Sequence, residues 1–229
     1  MKTVRALVLM LLVAIWFAGA AGRGADQTGG WRSVSFHFMR EGVQPGRYTI
    51  ELDPEGKGFY WEGQPDYDLQ EVPPGTAHTI SVSRAALTTI SEALGTVSSG
   101  NCETRRKNVA QSGRKTIVFL GRETSPQCEF NYSDDERVNA AAVVFESVSE
   151  TIQFGERLKR EHRFDKLGLD AELDSLIEES KGGRAMELQN IAPLLQSLVA
   201  DDTLMDRVRS KAQRLLDQPS GDASAERPR

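Results

Sequence analysis

Residues 101–128 read NCETRRKNVAQSGRKTIVFLGRETSPQC. This stretch holds both cysteines of the chain, Cys102 and Cys128, its densest run of positive charge, and an apolar strand over Thr116–Leu120. The turn Gly121–Pro126 separates that strand from a second one over Cys128–Tyr132, where Cys128, Phe130 and Tyr132 alternate onto one side. A bond between the cysteines would tie the end of the preceding helix to the buried face of this strand.

Upstream, Ser83 stands where a helix cap is needed, and Leu87, Ile90, Leu94 and Val97 recur at helical spacing until Gly100. Before that helix come three runs of period two: Val34, Phe36, Phe38; Tyr48, Ile50, Leu52; and Phe59, Trp61. Gly42–Gly46 and Asp53–Gly58 supply the turns between them. The pattern predicts a three-stranded antiparallel meander with one face packed and one solvated, with a short further strand over Thr79–Val82 and a surface loop over Gly63–Gly75.

Downstream, Ser133-Asp134-Asp135-Glu136 has the spacing of a capping box. Behind it Val138, Ala142, Phe145, Val148 and Ile152 form one apolar stripe, which predicts a helix packed across the sheet. The alternating charges of Glu156–Lys166 mark a boundary. Asp170 is expected to cap a helix carrying Leu173, Leu176 and Ile177 that breaks at Lys181-Gly182-Gly183. Leu188, Ile191, Leu195 and Leu198 mark a helix interrupted at Pro193, and Leu204, Val208, Ala212 and Leu215 mark one capped by Asp201 or Asp202. The fold class is α+β: an antiparallel sheet with packed helices, followed by a small all-helical C-terminal region. The expected division is a signal peptide (1–20), a flexible leader (21–30), an α+β domain (31–158), a helical region (159–217) and a disordered tail (218–229).

Compartment follows from the N-terminus. Lys2 and Arg5 precede the apolar run Ala6–Phe17, and Ala18 and Ala20 fit a signal-peptidase site. The run is shorter than the roughly 20 residues that span a bilayer, so the expected protein is secreted or periplasmic, with no membrane span after cleavage. Removing Lys2 and Arg5 from 28 cations leaves 26 against 33 acids, a net charge of −7, which argues against nucleic-acid binding. In an exported chain two cysteines read first as a disulfide. Free thiols and a metal site are the alternatives, and the latter would need His37, His78 or His162, for which no ligand spacing is present.

No nucleophile elbow, phosphate loop, dinucleotide fingerprint, zinc helix or calcium loop occurs, so no cofactor and no metal is expected. His78 is the one histidine beside a strand start, whereas His37 falls on the solvated face and His162 in a charged run. The sharpest local feature is the positive run: Arg105, Arg106, Lys107, Arg114, Lys115 and Arg122 accompany only Glu103 between positions 103 and 122, a local charge of +5. These six are candidate anion-binding residues, for envelope glycans, lipid phosphates or an acidic protein surface, and a solvated loop is the alternative. The sequon Asn131-Tyr132-Ser133 reads as incidental.

The order GRYTIELDPEGKGFYWEG then HTISVSRAALTTISEAL, within residues 47–94, resembles a domain of unknown function found in exported bacterial proteins. Met186–Val199 and Asp201–Leu216 are similar to the two helices of a HEAT repeat. The first resemblance implies no activity, and the second implies a helical docking face. The expected function is an exported, non-catalytic binding or scaffolding protein whose partner is an envelope protein or an anionic envelope component. The alternative is a small exported hydrolase with a spatially assembled site.

Overall fold

The computed structural model describes residues 31–63 and 77–218. The expected signal peptide and leader, nearly all of the loop Gly63–Gly75, and the tail beyond Gln218 lie outside the described residues. Six strands, β1 (Trp31–Met39), β2 (Arg47–Leu52), β3 (Lys57–Glu62), β4 (His78–Ser81), β5 (Arg114–Gly121) and β6 (Gln127–Phe130), form one sheet. All pairings are antiparallel, in the spatial order β4-β3-β2-β1-β5-β6. The α+β class is therefore the observed one.

The turn from β2 to β3 shows why these residues form a hairpin. The Asp53 carboxylate accepts from the amides of Glu55 (3.0 Å) and Lys57 (2.8 Å), and Gly56 takes φ +77°, which costs glycine least. Gly58 is required by closeness rather than by φ, since a Cβ there would stand 1.7 Å from the Glu51 carbonyl oxygen.

Val34, Phe36, Ile50, Leu52, Ile117 and Phe119 fill the inner face, all fully buried. The third strand departs from expectation. Ile50 lies opposite Tyr60, so Tyr60 enters the core at 0 % exposure and Phe59 is left 47 % exposed on the outer face. Three consecutive aromatics leave the phase of a strand open, and here the turn geometry decides it. Trp61 is also on the outer face, opposite Thr49, yet both are buried; that face is not uniformly solvated.

The helices are α1 (Arg84–Glu92), α2 (Leu94–Ser99), α3 (Glu136–Phe164), α4 (Leu169–Lys181), α5 (Ala192–Ala200) and α6 (Asp206–Leu216), with a 3-10 turn over Leu188–Ile191. Ser83 caps α1 as expected, its Oγ accepting from Ala86 N at 3.2 Å. The single helix expected up to Gly100 is divided at Ala93. The Ser133 capping box does not form. Asp135 caps α3 instead, accepting from Arg137 N at 2.9 Å, while Ser133 Oγ accepts from Asp135 N. Asp135 prevails because Thr96 of α2 donates to it at 2.5 Å, so one carboxylate serves both the cap and a tertiary bond. Two further caps are corrected. Gly168, not Asp170, precedes α4, and α6 starts from Met205 while Asp201 closes the turn before it through Thr203 N at 2.9 Å.

α3 lies over the sheet through the expected stripe, Val138, Ala142, Phe145, Val148 and Ile152, with the Phe145 ring stacked on Phe36 at 4.7 Å. Its later turns place Phe154 and Leu158 in a second apolar cluster with Leu169, Leu173, Leu195, Leu198 and Val208. The helix is continuous across residue 158, so the two cores share one rigid element.

The helical region also covers the Ser81 end of one sheet edge. Asn190 acts as a partner strand for β4: its side chain accepts from Ser81 N (2.8 Å) and donates to Ser81 O (3.0 Å), and Gln189 donates to the same carbonyl (2.9 Å). Beside it the buried Glu187 carboxylate accepts from Ser83 N (2.6 Å) and Ser83 Oγ (2.8 Å), where the N-terminal amides of α1 favour negative charge.

Candidate functional site

Cys102 and Cys128 form a disulfide with Cα atoms 6.0 Å apart. It joins the chain just past α2 to β6 and is buried at both ends. Tyr132, expected to share the side of Cys128 and Phe130, lies beyond the strand and is 41 % exposed. The loop between Cys102 and β5 is held by side chains from the far end of β6. Asn131 accepts from Ser112 N (2.7 Å) and donates to Ala110 O (2.9 Å). Glu103 accepts from Asn131 N (2.6 Å), and Thr104 donates from its amide to Tyr132 O (2.8 Å) and from its hydroxyl to Asp134 (2.8 Å). The sequence suggests none of these ties, because each partner lies 19–30 residues away. The Asn131 side chain of the sequon is thus engaged in the fold.

The six cations of the positive run do not stay together. Lys115 lies on the inner face of β5, nearly buried, and its ammonium pairs with Glu146 of α3 at 2.9 Å. Arg122 stands in the turn after β5, roughly 26 Å along the strand from Arg114 at about 3.3 Å per residue. The remaining four gather at one end. Arg106 pairs with Asp134 at 3.3 Å and Arg114 with Glu129 at 3.2 Å, all substantially exposed. Arg105 and Lys107 are exposed and make no salt bridge among the described residues. The Asp134 carboxyl is held below the usual range first by the Thr104 hydroxyl, then by the Arg105 amide. The acids that neutralise part of the run come from β6, α3 and the turn between them, which a count along the sequence does not anticipate.

Two clefts flank β6. One, of about 360 Å³, is lined by Glu103, Arg106, Val109, Arg114, Glu129 and Asn131. The other, of about 450 Å³, is lined by His37, Met39, Gly100, Arg114, Thr116 and Gln127. Both meet at Arg114 and Glu129, and both are of a size that takes a small ligand or a peptide segment.

The three histidines occupy three elements. His37 in β1 is half-buried beside Thr49, Nδ1 to Oγ1 3.0 Å, and burial lowers its pKa; the expected solvated position is corrected. His78 is in β4, its ring 5.9 Å from Tyr60. His162 near the end of α3 bonds Asp201 at 2.8 Å, a carboxylate that Lys166 shares at 3.0 Å. Among the described residues no group of three or more His, Cys, Asp or Glu is placed to hold a metal, and no helix is long and apolar enough to cross a membrane. No family model, curated protein or solved structure matches the chain.

Proposed function

We propose that the chain is an exported, non-catalytic binding protein of the cell envelope, and that Arg105, Arg106, Lys107 and Arg114 form its contact surface for an anionic partner. The observation that carries this reading is the restraint on the loop. A disulfide and hydrogen bonds from Asn131, Glu103 and Thr104 hold these cations at one end of the sheet, with Arg105 and Lys107 exposed and in no salt bridge among the described residues. A loop that only kept the protein soluble has no need of such anchoring, whereas a preorganised loop loses less entropy on binding. Lys115 is assigned a structural role and Arg122 lies too far along β5 to join the surface.

The experiment is retention on an immobilised polyanion and on vesicles containing anionic lipid, for the native chain and for Arg105→Glu/Arg106→Glu/Lys107→Glu. Reversal changes the local charge by six and is expected to abolish retention at about 0.15 M salt, where charges interact over about 8 Å. Equal retention of both proteins, unchanged across salt, removes the loop from consideration. Native mass spectrometry of the unreduced protein from its own envelope fraction then identifies a co-retained partner.

A further inference from the structure

The sheet has two edges and they are treated differently. At β4 the backbone of Ser81 is occupied by Asn190 and Gln189. At β6 the register turns two residues outward. Phe119 N bonds Pro126 O, and the pairing continues through Ile117 with Cys128 and Lys115 with Phe130, so the amides and carbonyls of Gln127 and Glu129 point away from β5. No described residue bonds them, and both residues are exposed. Of the two clefts described above, one crosses the sheet from Gln127 and Glu129 to His37 and Met39 of β1, and the other lies between Glu129 and the loop residues Glu103, Arg106 and Val109. A strand edge with outward, unbonded backbone groups beside a basic loop is the geometry of strand addition.

Charge selects the occupant. Glu129, the acid that would repel an acidic strand, is already paired with Arg114, and Arg106, with Arg105 and Lys107 on either side of it in the chain, lines the cleft that Glu129 shares. We infer that the free edge of β6 takes up an extended acidic peptide segment of a partner protein as a seventh strand, with the backbone of Gln127 and Glu129 supplying the ladder and the basic loop supplying the charge preference. This rests on the binding role proposed for that loop and names the partner's chemistry.

The test uses the oxidised exported chain, ¹⁵N-labelled, with acetyl-(Glu-Val)4-amide as probe and acetyl-(Lys-Val)4-amide as its opposite. Saturation with the acidic peptide is expected to slow amide exchange at Gln127 and Glu129 at least tenfold, and the basic peptide to bind at least tenfold more weakly. Glu129→Pro deletes one outward amide without touching the bonds of Cys128 and Phe130 to β5, and is expected to weaken binding at least tenfold with the disulfide and near-UV dichroism unchanged. Should the acidic peptide shift the resonances of Arg105–Lys107 while both exchange rates stay as they were, strand addition is overturned and the loop remains an anion site. An absence of any binding overturns it too, leaving the loop to be judged by the charge-reversal variant. Slow exchange without peptide, accompanied by a sedimenting dimer, would assign the edge to a second copy of this chain and equally overturn the inference.

Discussion

Glu187 sits at φ +59°, a region that a residue with a Cβ enters at a cost. What holds it there is its carboxylate, which receives Ser83 N, Ser83 Oγ and Gln189 Nε2 in a buried position. Glu187→Ala removes the acceptor while keeping the backbone cost, and is expected to lower stability by about 2–3 kcal/mol, the range for charged buried hydrogen bonds. Glu187→Gly removes the same acceptor but relieves the backbone, so it should recover about 1 kcal/mol of that loss. Urea denaturation of both variants decides it: a glycine variant no more stable than the alanine one would mean the backbone at 187 is unstrained. Tyr60 makes a second residue-scale prediction. Burial pushes its phenol up to about 12, and burial raises Tyr48 as well. A folded-state pKa above the unfolded value of 10.0 stabilises the fold fully below pH 10, and that contribution is lost as pH rises towards 12. Absorbance at 295 nm should therefore show these two tyrosines ionising only as the fold gives way, and their early titration with the fold intact would contradict the burial.

At the scale of elements, α3 is the member on which both cores depend, and at Gly155 the side chain of Ile191 packs close against it. A Cβ at 155 would meet Ile191 Cγ2 at 2.6 Å. Alanine normally favours a helix over glycine by about 1 kcal/mol, but the clash with a buried branched side chain should outweigh it. Gly155→Ala is expected to cost about 1–3 kcal/mol, and Ile191→Ala in the same chain should cost less than it does alone. Strict additivity in that double-mutant cycle would show that the contact is not what Gly155 preserves. The disulfide acts on a different element. Replacing Cys102 and Cys128 by serine frees a loop of 26 residues' separation and should cost about 3 kcal/mol. It should also weaken polyanion retention while Arg105, Arg106 and Lys107 are all still present. Full retention in the serine variant would show that preorganisation contributes nothing to the surface.

Across the whole molecule, the sequence carried the strands, the helices and the cysteine pairing, because each rests on short-range periodicity or on a count of two. Val34, Phe36 and Phe38 can only alternate, and the stripe from Val138 to Ile152 has one face to bury. What escaped, the cysteine pair apart, were the features set by partners distant along the chain. The phase of Phe59-Tyr60-Trp61 depended on β2, the cap of α3 on Thr96, and the neutralisation of the positive run on Glu129, Asp134 and Glu146. The asymmetry of the two sheet edges was invisible for the same reason, since Asn190 and Ser81 stand 109 residues apart. Local composition thus determined that this chain is an α+β protein with a positively charged, cysteine-bounded loop. Tertiary structure alone decided which of those charges gather, which are spent inside the fold and which strand edge stays open, because charge pairing and edge closure are properties of distance in space, which spacing along the chain does not encode.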